Sequence, residues 1–354
     1  MFSASLRAAL VALALSASAT AAPGLSLSLT GPQEVTSVGA LTVTATLVNT
    51  GDVELKLLND PNTVLNTFET DSFSIADDTG ASPTFKGAVV KYSPERVAAN
   101  PTENSFTVLA PGASIEVSHD LSKAYNFTLS GESTYDIVAS NVFTHVAEDG
   151  TLSTIRAEAS DAGHTTALSG ELAIARRTAS HALEKRIGFQ SCSSSRQTAL
   201  VSAAAAAQTY ANNAVSYITG QTTSSPRFTT WFGTFTAARR TTLLSHFTKM
   251  ANRPYANYIY DCSCTDSDTF AFVFPDDPST IYLCGVFWQV ANTGTDSRGG
   301  TLIHESSHFT VTAGTDDHAY GQSAAKALAV SNPTQALDNA DSHEYFAENN
   351  PVLA

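Results

Sequence analysis

Apolar and polar residues alternate in short runs along the first half of the chain, from Leu25 to about Val146. Residues 40–48, 114–118 and 135–138 are clear examples, and threonine and valine are frequent in them. A period of two with this composition is typical of strands that bury one face. Because turn-forming clusters of Asn, Gly, Asp and Pro separate the runs, the pattern predicts an antiparallel β-sandwich.

The second half of the chain has a different periodicity. Residues 195–219 and 228–250 carry apolar side chains at helical spacing, which predicts two long helices. Residues 269–274 and 281–288 are rich in aromatic and β-branched types around a Pro-Asp-Asp-Pro turn, which predicts an antiparallel hairpin. A third helix is expected to begin near Gly300. The C-terminal half is therefore predicted to be α+β, mostly helical with a small antiparallel sheet.

A change of composition separates the two halves. Residues 147–186 loosen into Ala, Ser, Gly and Thr and end in Lys185-Arg186, which is typical of a linker with a dibasic processing site. Cleavage after Arg186 would release residues 187–354 from a propeptide formed by residues 22–186. Basic pairs also occur by chance on solvated helices, so the position at the junction is what favours processing.

The N-terminus and the charge limit where the protein acts. Residues 1–21 combine one basic residue, a short apolar run and a small-residue end, which predicts a secretory signal peptide and an extracellular, soluble protein. Hydrophobic residues make up 43% of the chain and charged residues 15%, which argues against disorder. The net charge of -14 disfavours nucleic acid and membrane surfaces as partners.

The cysteines and one sequon fit export. The cysteines all lie in the C-terminal half, and an even count in an exported chain favours two disulfides over a metal cluster; they are Cys192, Cys262, Cys264 and Cys284. Cys262 and Cys264 are two residues apart, so each is expected to pair with a distant partner. Asn126, in Asn-Phe-Thr, is predicted to be glycosylated.

The predicted third helix carries His304-Glu305-x-x-His308. A spacing of four residues puts both imidazoles on one helical face, close enough for a single Zn²⁺. Glu305 then lies beside the metal, where a general base must be to take a proton from water. By chance the same motif also occurs on solvated helices with satisfied histidines.

A catalytic zinc needs a third protein ligand, and the segment 314–321 offers candidates after the motif. Its glycines let the chain turn back towards the helix. Asp316, Asp317 or His318 could be that ligand, and spacing alone does not decide among them.

The joint motif resembles the aspzincin signature, which is His304-Glu-x-x-His308 followed by Gly314-Thr-x-Asp317-x-x-Tyr320-Gly321. The likeness extends over residues 190–351 and is strongest to the deuterolysin and fungal peptidyl-Lys metalloendopeptidase group. It implies a zincin-like fold with one Zn²⁺ per chain, Asp317 as the third ligand, and Tyr320 as a phenol that stabilises the oxyanion. It also implies the disulfides Cys192–Cys262 and Cys264–Cys284. No known family is attached to the N-terminal half.

Two acidic residues near the C-terminus bear on specificity. Asp341 and Glu344 stand three apart in a segment of helical character, where they could line one pocket and bind an ammonium group. Such a pair is equally often a solvated acidic face. The resemblance favours the pocket, because these positions match the acidic residues with which the peptidyl-Lys branch recognises lysine.

The sequence thus predicts a secreted zinc endopeptidase that cleaves protein or peptide substrates on the amino side of lysine. The alternatives are a deuterolysin-like endopeptidase of broader preference and a catalytically silent zinc-binding or adhesive module. We expect a monomer whose propeptide acts as folding aid and inhibitor by covering the cleft. An extended substrate is expected to add to the edge of the strand at residues 281–288.

Overall fold

The protein is described from a computed structural model, over residues 23–161, 163–174 and 187–354. The predicted signal peptide, residues 1–21, and the predicted processing site, Lys185 and Arg186, lie outside the described residues.

The N-terminal half is built of strands, as the alternating pattern predicts. The strands and one short helix are β1 Leu25–Thr30, β2 Glu34–Ser37, β3 Thr42–Asn49, β4 Leu55–Leu58, β5 Phe73–Asp77, β6 Thr84–Phe85, β7 Val89–Tyr92, α1 Pro94–Ala99, β8 Phe106–Leu109, β9 Ser114–Asp120, β10 Tyr125–Asn126, β11 Ser133–Ala139, β12 Val142–Val146, β13 Leu152–Arg156, β14 Glu158–Asp161 and β15 Gly163–Glu171. They form sheets with the orders β14-β1-β3-β9, β2-β15-β11-β5 and β13-β12-β4-β8, and the short pair β10-β6.

Pairing within these sheets is mainly antiparallel. In β1 and β3, Leu27 faces Leu47, and the leucines alternate with half-buried polar residues, so one face of the sheet joins the apolar core. Two pairs, β1 with β14 and β2 with β15, are parallel. The prediction of antiparallel sheets is confirmed, with these two exceptions.

The predicted linker at residues 147–186 is wrong over much of its described length. Strand β13 pairs with β12, and β15 lies between β2 and β11 with the buried Thr166 and Leu168 facing inward. Small and polar residues are compatible with the exposed face of a strand. Because this segment has many Ser and Thr and few large apolar residues, its alternating pattern is weak and was not recognised as a strand pattern.

The C-terminal half contains the helices. Its elements are β16 Gly188–Gln190, α2 Ser194–Gly220, α3 Pro226–Phe232, α4 Ala237–Ala251, β17 Ile259–Asp261, β18 Thr269–Val273, β19 Thr280–Leu283, α5 Arg298–His308, α6 Gly321–Ser331, α7 Pro333–Leu337 and α8 Ala340–Glu348. Helix α2 confirms the first predicted helix. The second, predicted at 228–250, is two helices because Gly233 (φ 70°) ends α3, with its α-carbon packed too closely on Ala329 for a side chain.

A sheet beside these helices has the order β16-β17-β19-β18-β7. The predicted hairpin is confirmed, since β18 and β19 are antiparallel, but its second strand ends at Leu283 and residues Val286–Gln289 form a 3₁₀ turn. The sheet is mixed rather than purely antiparallel, because β16, β17 and β19 run parallel. Its edge strand β7 comes from the N-terminal half.

Both disulfides implied by the resemblance are present. Cys192 bonds to Cys262 and Cys264 to Cys284, tying the start of α2 and the end of β19 to the loop after β17. Among the described residues, no helix is long and apolar enough to cross a membrane.

Candidate metal centre

Helix α5 carries the two histidines of the motif. Its N-cap is Ser297, whose hydroxyl accepts a hydrogen bond from the Gly300 amide, and every residue from Gly299 to His308 is buried. His304 and His308 lie one turn apart on the same side of the helix, with ring centroids 4.8 Å apart. The helix therefore presents two imidazoles to one point inside the protein, as their spacing predicts.

Asp317 completes this group from the loop after α5. Its Oδ1 lies 3.3 Å from Nε2 of His304 and its Oδ2 lies 3.5 Å from Nε2 of His308. The other two candidates point elsewhere: Asp316 accepts a hydrogen bond from the amide of Asp317, and Nε2 of His318 lies 3.1 Å from Asp338. Of the three candidates, the structure therefore places Asp317 beside the two histidines. The resemblance implied this residue, whereas the spacing did not decide among the three.

Each imidazole has a polar neighbour at its other nitrogen. Nδ1 of His308 lies 2.8 Å from the carbonyl oxygen of Thr315, and Nδ1 of His304 lies 2.8 Å from Oδ1 of Asp341. The Thr315 carbonyl accepts the Nδ1 proton of His308, which leaves a lone pair on Nε2 of that ring. Nδ1 of His304 is close to the Asp341 carboxylate but lacks hydrogen-bond geometry. Nε2 of each ring lies close to Asp317, at 3.3 Å and 3.5 Å.

The unpaired atoms at this point fit a bound cation. Within the described part of the chain, Nε2 of both histidines and both carboxylate oxygens of Asp317 are buried without a hydrogen-bond partner. Leaving so many polar atoms unsatisfied would be costly, whereas a divalent ion would satisfy them together. Two imidazoles and a carboxylate, with ligand atoms within 4.8 Å of one another, are a donor set suited to zinc.

Glu305 and Tyr320 flank this donor set. Glu305 is fully buried, its carboxylate has no hydrogen-bond partner among the described residues, and burial raises its pKa to about 8. A pKa in that range suits a group that takes and returns a proton near neutral pH. The phenol of Tyr320 donates a hydrogen bond to the carbonyl oxygen of Val90 (3.0 Å) and accepts one from Nδ2 of Asn62 (2.8 Å).

Asp341 and Glu344 lie on the first turns of α8 and form a buried acidic pocket beside the histidines. The pocket holds the ammonium of Lys91, whose Nζ lies 2.6 Å from Glu344, 3.3 Å from Asp341 and 3.6 Å from Asp296. The aliphatic stem is enclosed as well, since Lys91 is 1% exposed. The pair is therefore not a solvated acidic face.

Lys91 lies on β7, a strand from the N-terminal half. This strand fills the space between β18 and Tyr320, which we call the cleft. The strand pairs antiparallel with β18, so β18 is the edge that accepts an added strand. The sequence-based expectation that residues 281–288 provide that edge is wrong, because β19 lies inside the sheet between β17 and β18.

Sequence reasoning missed Lys91, Asn62 and Asp296. The last two have no local signal, since they reach the site only through loops of the folded chain. Lys91 has one: it interrupts the otherwise apolar strand segment Val-Val-Lys-Tyr, where a buried cation needs carboxylates elsewhere in the protein.

Asn126 lies at the end of β10, where its side-chain oxygen accepts hydrogen bonds from the amide and hydroxyl of Thr128. Glycosylation of Asn126 stays a prediction.

Known proteins resemble this chain over the region that contains the candidate metal ligands. The sequence profile of the aspzincin family, described as lysine-specific metallo-endopeptidase, matches residues 217–348. Peptidyl-Lys metalloendopeptidases of Armillaria mellea and Grifola frondosa are 56% and 50% identical to the chain, each over 99% of both sequences. The chain belongs to the aspzincin family. An extracellular protease of Aeromonas hydrophila is 34% identical over 87% of this chain and 88% of its own.

A solved zinc peptidase from Grifola frondosa shares 53% identity with this aspzincin, covers 46% of the chain and all of its own, and has a TM-score of 0.46. Family membership makes the chain a zinc metalloendopeptidase that acts on protein or peptide substrates.

Proposed function

We propose that this aspzincin is a secreted zymogen that hydrolyses peptide bonds on the amino side of lysine. The observation that carries the proposal is the enclosure of the Lys91 ammonium by Asp341, Glu344 and Asp296 next to the metal-binding histidines. A pocket of three carboxylates that closes on a lysine stem selects a long cationic side chain over neutral ones.

We assign one zinc to His304, His308 and Asp317. When bound, zinc supplies Lewis acidity that polarises a carbonyl and eases deprotonation of water. Glu305 takes the proton from the attacking water and returns it to the leaving amine. Tyr320 donates its hydroxyl hydrogen to the carbonyl oxygen as negative charge develops there, which its bond to the Val90 carbonyl supports.

The proposed boundary between propeptide and catalytic domain, after Arg186, is supported by the length of a relative and by the position of the basic pair. A peptidyl-Lys metalloendopeptidase of Pleurotus ostreatus matches 166 residues, which is 47% of this chain and 99% of its own sequence. The segment 187–354 has nearly the same length, which supports cleavage after Arg186 and removal of a propeptide at residues 22–186. We propose that this propeptide is a β-sandwich, that it follows a signal peptide at residues 1–21, and that Asn126 is glycosylated.

The propeptide supplies β7, which occupies the cleft, so it is proposed to inhibit the enzyme until it is removed. Two further contacts join the halves: Lys86 forms an ion pair with Asp276, and Ser105 donates a hydrogen bond of 2.7 Å to Asp268. If the full chain altered at Lys185 and Arg186 were as active as the processed protein, inhibition by the propeptide would be excluded.

The activity is tested with a digest of an unbiased peptide pool by the processed protein, read by mass spectrometry. New N-termini strongly enriched in lysine support the proposal, whereas cuts without that enrichment indicate the broader, deuterolysin-like preference. Glu305→Gln should retain about one zinc per chain and lose hydrolysis by about 10²–10⁴-fold. Unchanged hydrolysis by this variant contradicts the role of Glu305, and no hydrolysis by the unaltered protein favours a silent zinc-binding module.

A further inference from the structure

Strand β7 lies in the cleft in the manner of an extended peptide substrate. Val89 to Tyr92 pair antiparallel with β18, with Val90 opposite Phe272 and Lys91 opposite Ala271. Added strands of this kind are held by main-chain hydrogen bonds, while pockets choose the side chains. The side chain chosen here is that of Lys91, which fills the acidic pocket beside His304.

The carbonyl group of the peptide bond before Lys91 contacts Tyr320. The carbonyl oxygen of Val90 accepts the hydrogen bond of the Tyr320 phenol, at 3.0 Å. Asn62, also from the N-terminal half, donates to the same phenol at 2.8 Å and fixes its direction. A lysine in the pocket and the preceding carbonyl on Tyr320 are the two contacts that a bond cut on the amino side of lysine would make.

We propose that the propeptide inhibits as a bound substrate and that Val90–Lys91 is a self-processing site, cleaved by the metal centre of the same chain. This inference rests on the proposed function and adds to it the residue that blocks the pocket and the bond that is cut. Water adds its oxygen to the carbonyl carbon of Val90 and the bond to the nitrogen of Lys91 breaks. One proton of the water passes through Glu305 to that nitrogen, and the second is lost from the new carboxyl group and protonates the new amine. The products are a carboxylate on Val90 and an ammonium N-terminus at Lys91.

Contacts on both sides of the bond determine how the cut behaves. Before it, Lys86 pairs with Asp276, and after it, Ser105 and Thr102 both donate to Asp268. These contacts hold the two ends in place, so the cleaved propeptide stays associated and the bond turns over slowly compared with that of a free peptide. Removal of the propeptide then needs the second cut at the junction before residue 187.

The first experiment follows the full chain after addition of one equivalent of zinc, with N-termini read by mass spectrometry over time. We expect a chain that begins at Lys91 and accumulates at a rate independent of protein concentration. Glu305→Gln should stay intact at this bond. A chain that never yields this N-terminus while it hydrolyses an added lysyl peptide overturns the inference but leaves the proposed function standing. The same N-terminus in Glu305→Gln assigns the cut to another protease and also overturns it.

The second experiment tests occupancy of the pocket. Lys91→Met in the full chain should hydrolyse an added lysyl peptide at least about tenfold faster than the unaltered full chain, because the pocket is no longer filled by a competing ammonium. The matched control is Lys56→Met, on β4 away from the cleft, where Lys56 lies over the ring of Phe106 and no rate change is expected. Equal rates for both variants contradict inhibition through Lys91.

Because Lys91→Met leaves Asp341 and Glu344 buried opposite a neutral side chain, a second variant keeps the positive charge. Lys91→Arg should fold and should form the new N-terminus at residue 91 at least about tenfold more slowly, because a guanidinium is longer and planar. Cleavage at the unaltered rate would show that the pocket does not govern this bond, and would overturn the inference.

Discussion

Nδ1 of His304 lies 2.8 Å from Oδ1 of Asp341, so one carboxylate contacts a candidate metal ligand and the lysine pocket at once. Its second oxygen accepts a hydrogen bond of 2.7 Å from the amide of Gly321, which fixes its position. Metal binding and lysine recognition are consequently linked through Asp341, whereas Glu344 lies farther from that nitrogen, at 3.4 Å.

Replacement of Asp341 should therefore affect both properties. We expect Asp341→Asn to weaken zinc binding by about 10–100-fold, because the imidazole loses its anionic partner, and to reduce lysine preference. Glu344→Gln should reduce lysine preference with a much smaller effect on zinc. Competition with a chelator gives the affinities and a peptide-pool digest gives the preference. Equal zinc affinity in the two variants would contradict the link.

Tyr320→Phe should lower kcat by about 10²–10³-fold with little change in KM, because the phenol acts on charge that develops during the reaction. Tyr217→Phe is the control, since Tyr217 donates a hydrogen bond to Ser225 at 2.7 Å as part of the helical framework. Steady-state kinetics on a lysyl peptide measure both. A loss confined to KM would place Tyr320 in substrate binding alone.

Gly300→Ala should destabilise the protein although alanine favours helices. A β-carbon at Gly300 would lie 2.0 Å from Oε1 of Glu348, a buried side chain whose carboxylate accepts hydrogen bonds from the amide and hydroxyl of Ser297. Displacing it is expected to cost about 1–3 kcal/mol of unfolding free energy, more than the gain in helix propensity of about 1 kcal/mol.

Gly220→Ala, at the end of α2, is the matched control, because no atom lies within 4 Å of its added carbon. Urea unfolding should separate the two variants, and equal free energies of unfolding would show that α5 shifts without cost.

A buried histidine pair is expected to make the protein sensitive to acid. Nδ1 of His246 lies 3.0 Å from Nε2 of His343, and burial lowers the pKa of His246 to about 4 and that of His343 to about 3. As the pH falls, these histidines become protonated in the unfolded chain near their ordinary pKa of 6.5. In the folded chain they become protonated only at lower pH. The free energy of unfolding is thus fully present above about pH 6.5 and falls below it, by about 1.4 kcal/mol per pH unit for each histidine.

Urea unfolding at several pH values between about 7.5 and about 4.5 measures this slope. His343→Phe removes one titrating group of the pair and should reduce the slope by up to about 1.4 kcal/mol per pH unit within that window. An identical slope in this variant and in the unaltered protein would assign the acid sensitivity to other groups.

Local patterns in the sequence were sufficient for the elements and for part of the site. Period two gave the strands of the N-terminal half, and the spacing of His304 and His308 put two imidazoles on one face, because both are properties of neighbouring residues in the chain. The same locality explains the errors. Gly233 ends a helix at a position (φ 70°) where a β-carbon would collide with the Ala329 carbonyl oxygen. Likewise, β15 is a strand because β2 and β11 flank it.

The spacing of residues did not decide whether Asp316, Asp317 or His318 is the third ligand, and only the family resemblance indicated Asp317. In the structure, the choice depends on how the loop after α5 folds. That Lys91 fills the pocket of Asp341 and Glu344 could not be read from the chain, because Lys91 and Glu344 are separated by 253 residues. Sequence determined which residues are able to bind a metal or a cation. The tertiary structure decided which of them meet, because convergence of distant side chains depends on packing between elements and leaves no trace in local periodicity.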